Sequence, residues 1–574
     1  MGRYLITSAL PYINGIKHLG NLAGSMLPSD VHARFRRLQG HEVLLICATD
    51  EHGTPAELAA MEAGHSVGDY CHEQHVIQKQ LYEQFDLSFD YFGRSSSKEN
   101  RELTQMFADR LEDNNLIEER VERQMFSSAD NRFLPDRYIE GTCPECGYEN
   151  ARGDQCDSCG KLLEPTDLLK PRSAVSGSYD LEVRETAHLF LLQSKMVGPL
   201  EDWIDRSREW SSLAKSIALK WLKEGVQDRS ITRDLVWGVP VLRHGAVRSG
   251  FENKVFYVWF DAPIEYIAAT VEWSHNGGGD WQRWWKTDKG ADDVCYVQFM
   301  GKDNVAFHSV NFPITMLGLD EPWKMVNKIK AFSWLNWYGE KFSTSQKRGV
   351  FMDTALELFP SDYWRWYLTA NAPEASDGSF SWEEFQVAIN SDLANVLGNF
   401  VNRTTSFVGA RFASVIPDAG EHPTPDPWLQ ERVTDQMEKI IKAHETMEFK
   451  KLAAETRALW ALGNEYLART EPWSKIKVSR DEAATIIYWA LNLCYLFAVV
   501  AYPIIPSSAE RIFEMLGCKV ATPLAEVLAE DKDWLHCGTS ALQVGRKIAV
   551  GEPLFKKIED DDKVALIERF PPKS

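Results

Sequence analysis

The sequence predicts an α/β protein built on a parallel sheet, interrupted by a metal-binding insertion and followed by an all-helical domain. Three observations carry this prediction. The first fifty residues run strand, loop, helix, strand; four cysteines cluster between positions 143 and 159; and helical periodicity is sustained after about residue 385.

Residues 3–10, with the run "YLITSAL", read as the first strand. Ser29 is expected to cap a helix, "SDVHARFRRLQG", closed by Gly40. Residues 42–49 then form a second strand that ends at Asp50. A strand–helix–strand unit implies parallel pairing, and ligands of parallel sheets bind beyond the carboxyl ends of the strands. Both "LPYINGIKHLGN", residues 10–21, and the turn Asp50-Glu51-His52-Gly53 fall there. From about 115 to 230 the pattern breaks into short irregular pieces around the cysteines, as expected of an insertion. Strand-like runs return with "KVFYVWFDAP" and "DDVCYVQFMGKDN", and beyond 385 segments such as "MEKIIKAHETMEFKKLAAETRALWALGNEYL" predict a separate helical domain. There is no internal repeat and no low-complexity segment.

With 574 residues, 44% of them hydrophobic, the chain can bury large cores. A net charge of −20 argues against a general nucleic-acid coat protein, while leaving room for a polyanion held by local basic patches. The start "MGRYLITSAL" lacks the basic and long apolar segments of a signal peptide, and Ile6 stands where a myristoylation motif needs Ser or Thr. The longest apolar run, residues 483–506, contains Asn492 and Pro503 and is expected to be a buried bundle helix, not a membrane span. Ten cysteines with four clustered point to metal in a reducing cytosol, not to a disulfide scaffold.

Cys143-x2-Cys146-x9-Cys156-x2-Cys159 is the strongest local motif. Gly147 and Gly160 follow the two pairs and permit the tight knuckles that aim two thiolates at one ion. Four sulfurs fill a tetrahedral zinc site and leave no open position, so the ion is structural. In the opening loop, Gly15 and Gly20 would let a phosphate approach, the helix start adds a positive dipole end, and Lys17 and His18 supply donors. A generic turn with a surface histidine accounts for these residues equally well. "GEKFSTSQKRGVF", residues 339–351, carries Lys341, Lys347 and Arg348 in a Ser/Thr/Gly-rich loop; it suits closure over a triphosphate or, taken alone, is a solvated basic loop.

"PYINGIKHLGN" resembles the first signature of the class I aminoacyl-tRNA synthetases, and "KFSTS", residues 341–345, resembles their second. "ALPYING", "ATDEHGTP", "FYVWFDAPIEY" and "GKDNVAFH" extend the resemblance over nearly the whole chain to the methionyl-tRNA synthetases. Two departures stand out: Asn21 replaces the second histidine of the first signature, and Thr344 the second lysine of the second, whose charge Lys347 would take over. An amide still donates to phosphate but carries no charge.

The resemblance implies a Rossmann-like doubly wound sheet over residues 1–115 and 231–325, a zinc-binding connective insertion over 116–230, a stem-contact region over 326–385 and an all-α anticodon-binding bundle over 386–574. It implies activation of L-methionine by ATP, with Mg2+, to methionyl-adenylate, then transfer to the 3′ end of initiator and elongator tRNA(Met). By the same resemblance, His18 and Asn21 hold phosphate oxygens, and Lys341 with Thr344 or Lys347 stabilises the pyrophosphate side. Tyr12, Asn14, Gly20, Arg233, Asp303 and Thr344 fall at ATP-binding positions. Asp50 pairs with the substrate ammonium, and Leu10, Trp259, Ala262, Pro263, Tyr266, Phe307 and His308 form the methionine pocket, where aromatic walls suit a thioether. Asn395, Asn399 and Arg403, spaced four apart, and Trp473 in "EPWSK" read the anticodon. A cytoplasmic monomer with no membrane partner is expected, because no C-terminal β-barrel follows the helical domain. Two competing readings are a class I synthetase for cysteine or a branched-chain amino acid, and a non-enzymatic RNA-binding module, for which Asn21 and Thr344 are the best support. Branched-chain enzymes need an editing insertion, since one methylene discriminates only ~10–200-fold, and the zinc knuckle region largely occupies 116–230.

Overall fold

A computed structural model describes residues 2–153, 156, 158–159, 161, 163–207, 209–343, 348–420, 425–518, 534–538 and 541–572. Gly160, Thr344 and Lys347, named above, lie outside the described residues. Five strands form the central sheet: β1 (Arg3–Ser8), β2 (Glu42–Thr49), β3 (Tyr91–Arg94), β4 (Val294–Gly301) and β5 (Lys328–Phe332). Their order is β5-β4-β1-β2-β3, and every pairing is parallel. The chain fills one side of β1 first and the other side later, so the switch point lies between β1 and β4, where open α/β sheets bind ligands. β1 and β2 are buried almost throughout their second halves, as a sheet covered on both faces requires. β5 falls within 326–385, so the sheet extends past residue 325; its lysines, Lys328 and Lys330, mark it as an edge strand.

Two local expectations need correction. After the loop that follows β1, helix starts ten residues earlier than Ser29, as a short turn Leu19–Asn21, a π-helical turn Leu22–Met26 and the helix Leu27–Leu38. Ser29 is therefore inside the helix and caps nothing; its hydroxyl donates back to the Met26 carbonyl at 2.7 Å. The Asn21 side-chain oxygen accepts from the His18 N–H at 3.3 Å, so helix begins directly from the histidine turn. In "KVFYVWFDAP" only Val255–Phe256 is strand, and Val258–Asp261 is helical, running into a 3₁₀ turn Ala262–Ile264 that Pro263 favours.

The insertion is built on a long antiparallel pair, Ile117–Ser127 with Leu181–Leu191, and a small sheet of Ala151–Arg152, Ile139–Thr142 and Leu169–Ser173 beside the cysteines. After it, helix runs without a break from Trp382–Ala388 through the π-helical stretch Ile389–Gly398 into Asn399–Arg411. A hairpin of Pro427–Glu445 and Phe449–Thr470 follows. The apolar run forms Arg480–Ala501; it is the one helix among the described residues long and apolar enough to cross a membrane, and 89% of its apolar window is buried in the bundle. The domains share one core: Arg365, fully buried, binds Asp30 at 2.6 Å, the Phe85 carbonyl at 3.0 Å and the Ile504 carbonyl at 2.7 Å. His444 stacks on Phe35, with ring centroids 3.9 Å apart.

Candidate active site

The loop after β1 is zipped to the end of β2. The Ile13 N–H donates to the Asp50 carbonyl and the Asp50 N–H to the Pro11 carbonyl, each at 2.9 Å. Gly15 has a φ of 106°, open to glycine at little cost. At Gly20 closeness matters instead: a Cβ there would lie 3.0 Å from the His18 ring and 3.3 Å from the Leu335 carbonyl. Lys17 is buried and donates to the Asn14 side-chain oxygen at 3.0 Å; burial pulls its ammonium down to about 7, partly opposed by Asp50. Burial and the Lys17 charge hold His18 at about 3, so its imidazole is neutral, and its Nδ1 is buried without a partner.

The second signature closes on the first. Lys341 lies in the two-residue strand Glu340–Lys341, and Ser343 pairs with Arg348. The returning chain then bonds the histidine turn, with the Leu19 N–H on the Val350 carbonyl at 3.2 Å and the Met352 N–H on the Lys17 carbonyl at 2.9 Å. Between them Phe342 stacks on the His18 ring, with centroids 4.8 Å apart and 21° between planes. These contacts enclose a cavity of about 270 Å³ at the switch point, lined by Leu10, His18, Gly20, Asn21, Asp303 and Lys341 together with Gly301, Asn304 and residues 333–335. Tyr12, Asn14, Asp50 and Arg233 do not line it, nor do Trp259, Ala262, Pro263, Tyr266, Phe307 and His308. Trp334, just past β5, takes Lys341 and Lys302 on its ring at 4.4 and 4.0 Å. Sequence reasoning missed it, although an aromatic residue at a parallel strand's carboxyl end is itself a signal.

Asp50 is buried, and its Oδ1 has no hydrogen-bond partner. Burial, then the negative charges of Asp261 and Glu51, push its carboxyl well above the usual range, while the His52 N–H and Lys17 act the other way. This oxygen suits a cation brought in by a ligand. Nearby, Trp259 and Phe307 pack with centroids 4.4 Å apart, and Tyr266 and His308 are joined at 2.8 Å. His308 Nδ1 lies 2.8 Å from the Asn304 carbonyl, which only accepts; Nδ1 therefore carries the proton and Nε2 accepts from the Tyr266 hydroxyl. Burial holds His308 at about 4, and so neutral. Ala262 and Pro263 sit on the 3₁₀ turn Ala262–Ile264.

Arg233 lies in a second cleft of about 440 Å³ between the insertion and residues 257–260, 311 and 315, with Arg123, Arg229, Tyr257 and Trp259. Its guanidinium covers the Tyr257 ring at 3.6 Å and donates to the Thr232 carbonyl at 2.9 Å.

The four cysteines form one cluster, with all ligand atoms within 4.8 Å of one another and the pairs Cys143–Cys159 and Cys146–Cys156 at 3.9 and 3.6 Å. Zinc–sulfur bonds of ~2.3 Å in a tetrahedron set sulfurs ~3.8 Å apart, so the donor set fits zinc. On the helical domain, Asn395 and Asn399 are exposed and Arg403 is half-buried on one helix face. Arg403 covers the Trp473 ring at 4.9 Å, which brings these two residues together, and Asn399 donates to Asn464 at 3.1 Å.

A family model described as "tRNA synthetases class I (M)" matches residues 4–405, and one described as "Anticodon binding domain of methionyl tRNA ligase" matches residues 416–574. The methionine--tRNA ligase of Maricaulis maris is 60% identical over 575 residues, covering 99% of each chain. That of Caulobacter vibrioides is 58% identical over 573 residues with the same coverage. Mycobacterium tuberculosis methionyl-tRNA synthetase, solved in complex with methionyl-adenylate, matches with a TM-score of 0.75 at 22% identity, covering 97% of this chain and 100% of that one, a likeness of fold. With a class I catalytic part and its anticodon domain both matched, and full-length relatives this similar, the chain belongs to the methionyl-tRNA synthetase family.

Proposed function

We propose that the protein activates L-methionine with ATP to methionyl-adenylate and passes the methionyl group to the 3′ end of tRNA(Met). The observation that carries this reading is the His18–Phe342 stack, which joins both signature loops over one cavity, on a loop whose backbone is bonded to Asp50 with its unpartnered oxygen. Asp50 takes the substrate ammonium, while Trp259, Phe307, Pro263 and the Tyr266–His308 pair enclose the thioether. Thus held, the methionine carboxylate attacks the α-phosphorus; the bond to the β-phosphate oxygen breaks and pyrophosphate leaves. The carboxylate is already a nucleophile, so the protein's work is positioning and charge stabilisation. His18, neutral, and the Asn21 amide donate to phosphate oxygens, and Lys341 stabilises the leaving pyrophosphate, with Thr344 or Lys347 supplying the remaining contact. Mg2+ bound with ATP would offset the charge of its phosphates. Tyr12, Asn14, Gly20, Asp303 and Arg233 complete the nucleotide-side contacts, Arg233 from the cleft where we place the tRNA 3′ end.

Zinc at the four thiolates would hold the insertion's knuckles together and supply no chemistry. Asn395, Asn399, Arg403 and Trp473 recognise the anticodon of initiator and elongator tRNA alike, and the protein acts as a cytoplasmic monomer. Amino-acid-dependent ATP–pyrophosphate exchange tests the reading. Methionine drives exchange and cysteine and leucine do not, and His18→Ala and Lys341→Ala each cut the rate ~10²–10³-fold without loss of fold. Exchange driven by another amino acid, or unchanged in both variants, defeats it.

A further inference from the structure

Asp50 sits on a turn whose next two residues are anchored on separate supports. Glu51 takes Arg94 through two bonds at 2.8 and 3.0 Å and the Thr49 hydroxyl at 2.8 Å; its N–H donates to Ser95 Oγ at 2.8 Å, and its carbonyl accepts from the Trp237 indole at 2.7 Å. His52, also buried, is held by its side chain: Nδ1 lies 2.5 Å from Asp261 Oδ2, and its ring stands edge-on to Trp237 with centroids 5.8 Å apart.

Asp261 is fully buried at the end of the helix Val258–Asp261, immediately before Ala262 and Pro263. A buried acid is costly to keep without partners. Its side-chain partners here are His52 and, at 3.4 Å, the buried Asn100 amide. The turn lies close against that helix: Gly53 has a φ of 88°, and a Cβ there would be 3.2 Å from the Val258 side chain. Finally, Asp50 stands two residues before His52 on this turn, its own N–H and carbonyl bonded to Pro11 and Ile13 at 2.9 Å, while its Oδ1 stays unpartnered.

We propose that His52 and Asp261 are a positioning pair for recognition of the substrate amine: Asp261 fixes the His52 ring, and the ring so held fixes the turn that carries Asp50, with its unpartnered carboxylate oxygen toward the ammonium. This rests on the reading of Asp50 given above. The pair acts on the substrate through Asp50 alone, so it governs affinity for the amine and not for the thioether or the nucleotide.

The test uses the full-length protein in ATP–pyrophosphate exchange, with 4-methylthiobutanoate, methionine without its amine, as a competing ligand. His52→Ala and Asp261→Ala raise the KM for methionine about tenfold or more, while kcat, the KM for ATP and the Ki of 4-methylthiobutanoate stay within about twofold. His52→Asn, whose amide N–H replaces Nδ1–H toward Asp261, recovers the methionine KM to within about threefold. His52→Phe, which keeps the ring and loses the bond, is read in the same way if the alanine variants do not fold. An unchanged KM for methionine overturns the proposal. So does an equal loss of methionine and 4-methylthiobutanoate, which would make the pair a mere prop of the pocket wall. Asp50→Ala separates the two levels. If it leaves the methionine KM unchanged, the ammonium reading of Asp50 fails; if it raises that KM and His52→Ala does not, only the positioning pair fails.

Discussion

Lys17 is buried in the histidine turn with its ammonium held at about 7, bonded to Asn14 and attracted by Asp50. Burial is the cause, and it disfavours the charged form that the unfolded chain keeps up to its ordinary 10.5. The unfolded state therefore binds more protons between those two values, and stability rises with pH across that window. The cost is fully present below about 7 and gone above 10.5; at ~1.4 kcal/mol per tenfold it amounts to ~4 kcal/mol at pH 7 and ~2 kcal/mol at pH 9. Lys17→Met keeps most of the side chain's bulk and removes the charge. Against it stands the lost Asn14 hydrogen bond, worth ~1 kcal/mol. The variant should therefore be more stable by ~3 kcal/mol at pH 7 and by ~1 kcal/mol at pH 9. Urea unfolding of both proteins, without ligands, at the two pH values measures this. A variant no more stable at pH 7, or a gain that does not shrink at pH 9, refutes the reasoning.

Two further outcomes follow from other parts of the molecule. Trp473→Ala removes the ring that Arg403 covers and should lower kcat/KM for tRNA charging ~5–150-fold, the equivalent of ~1–3 kcal/mol of stacking, with methionine activation unaffected; a fall in both steps would make Trp473 structural. Cys146→Ser, at an exposed ligand position, should reduce bound zinc from one per chain to a small fraction when measured by atomic emission; full retention of metal would refute the four-thiolate site.

Much of the site is legible in the sequence because its chemistry sits at strand ends. β1 and β2 read correctly, since strands covered on both faces need apolar runs of limited length, and Asp50 then falls at a carboxyl end by counting. The cysteine knuckles are legible for a similar reason: metal geometry dictates spacing. Ser29 misleads because a serine that caps a helix and one that bonds back inside it look alike in sequence. "VFYVWF" misleads because a short apolar run fits strand or buried helix, and only Val255–Phe256 pairs as strand before the helix Val258–Asp261. Buried acids are the hardest class to foresee. Nothing local distinguishes Asp261 or Glu265, both fully buried, from the many exposed carboxylates of a chain with net charge −20. The relation of Arg233 to the His18 cavity is also non-local, since it depends on how the insertion docks on the sheet.

The most direct measurement is a crystal structure with a non-hydrolysable methionyl-adenylate analogue. The ligand's amine should lie ~3 Å from Asp50 Oδ1, its phosphate against His18 and Asn21, and its methyl-thioether between Trp259, Phe307 and the Tyr266–His308 pair. An analogue bound elsewhere, with Asp50 Oδ1 still unpaired and the cavity beneath the His18–Phe342 stack vacant, would contradict the assignment of that cavity as the place where methionine meets ATP.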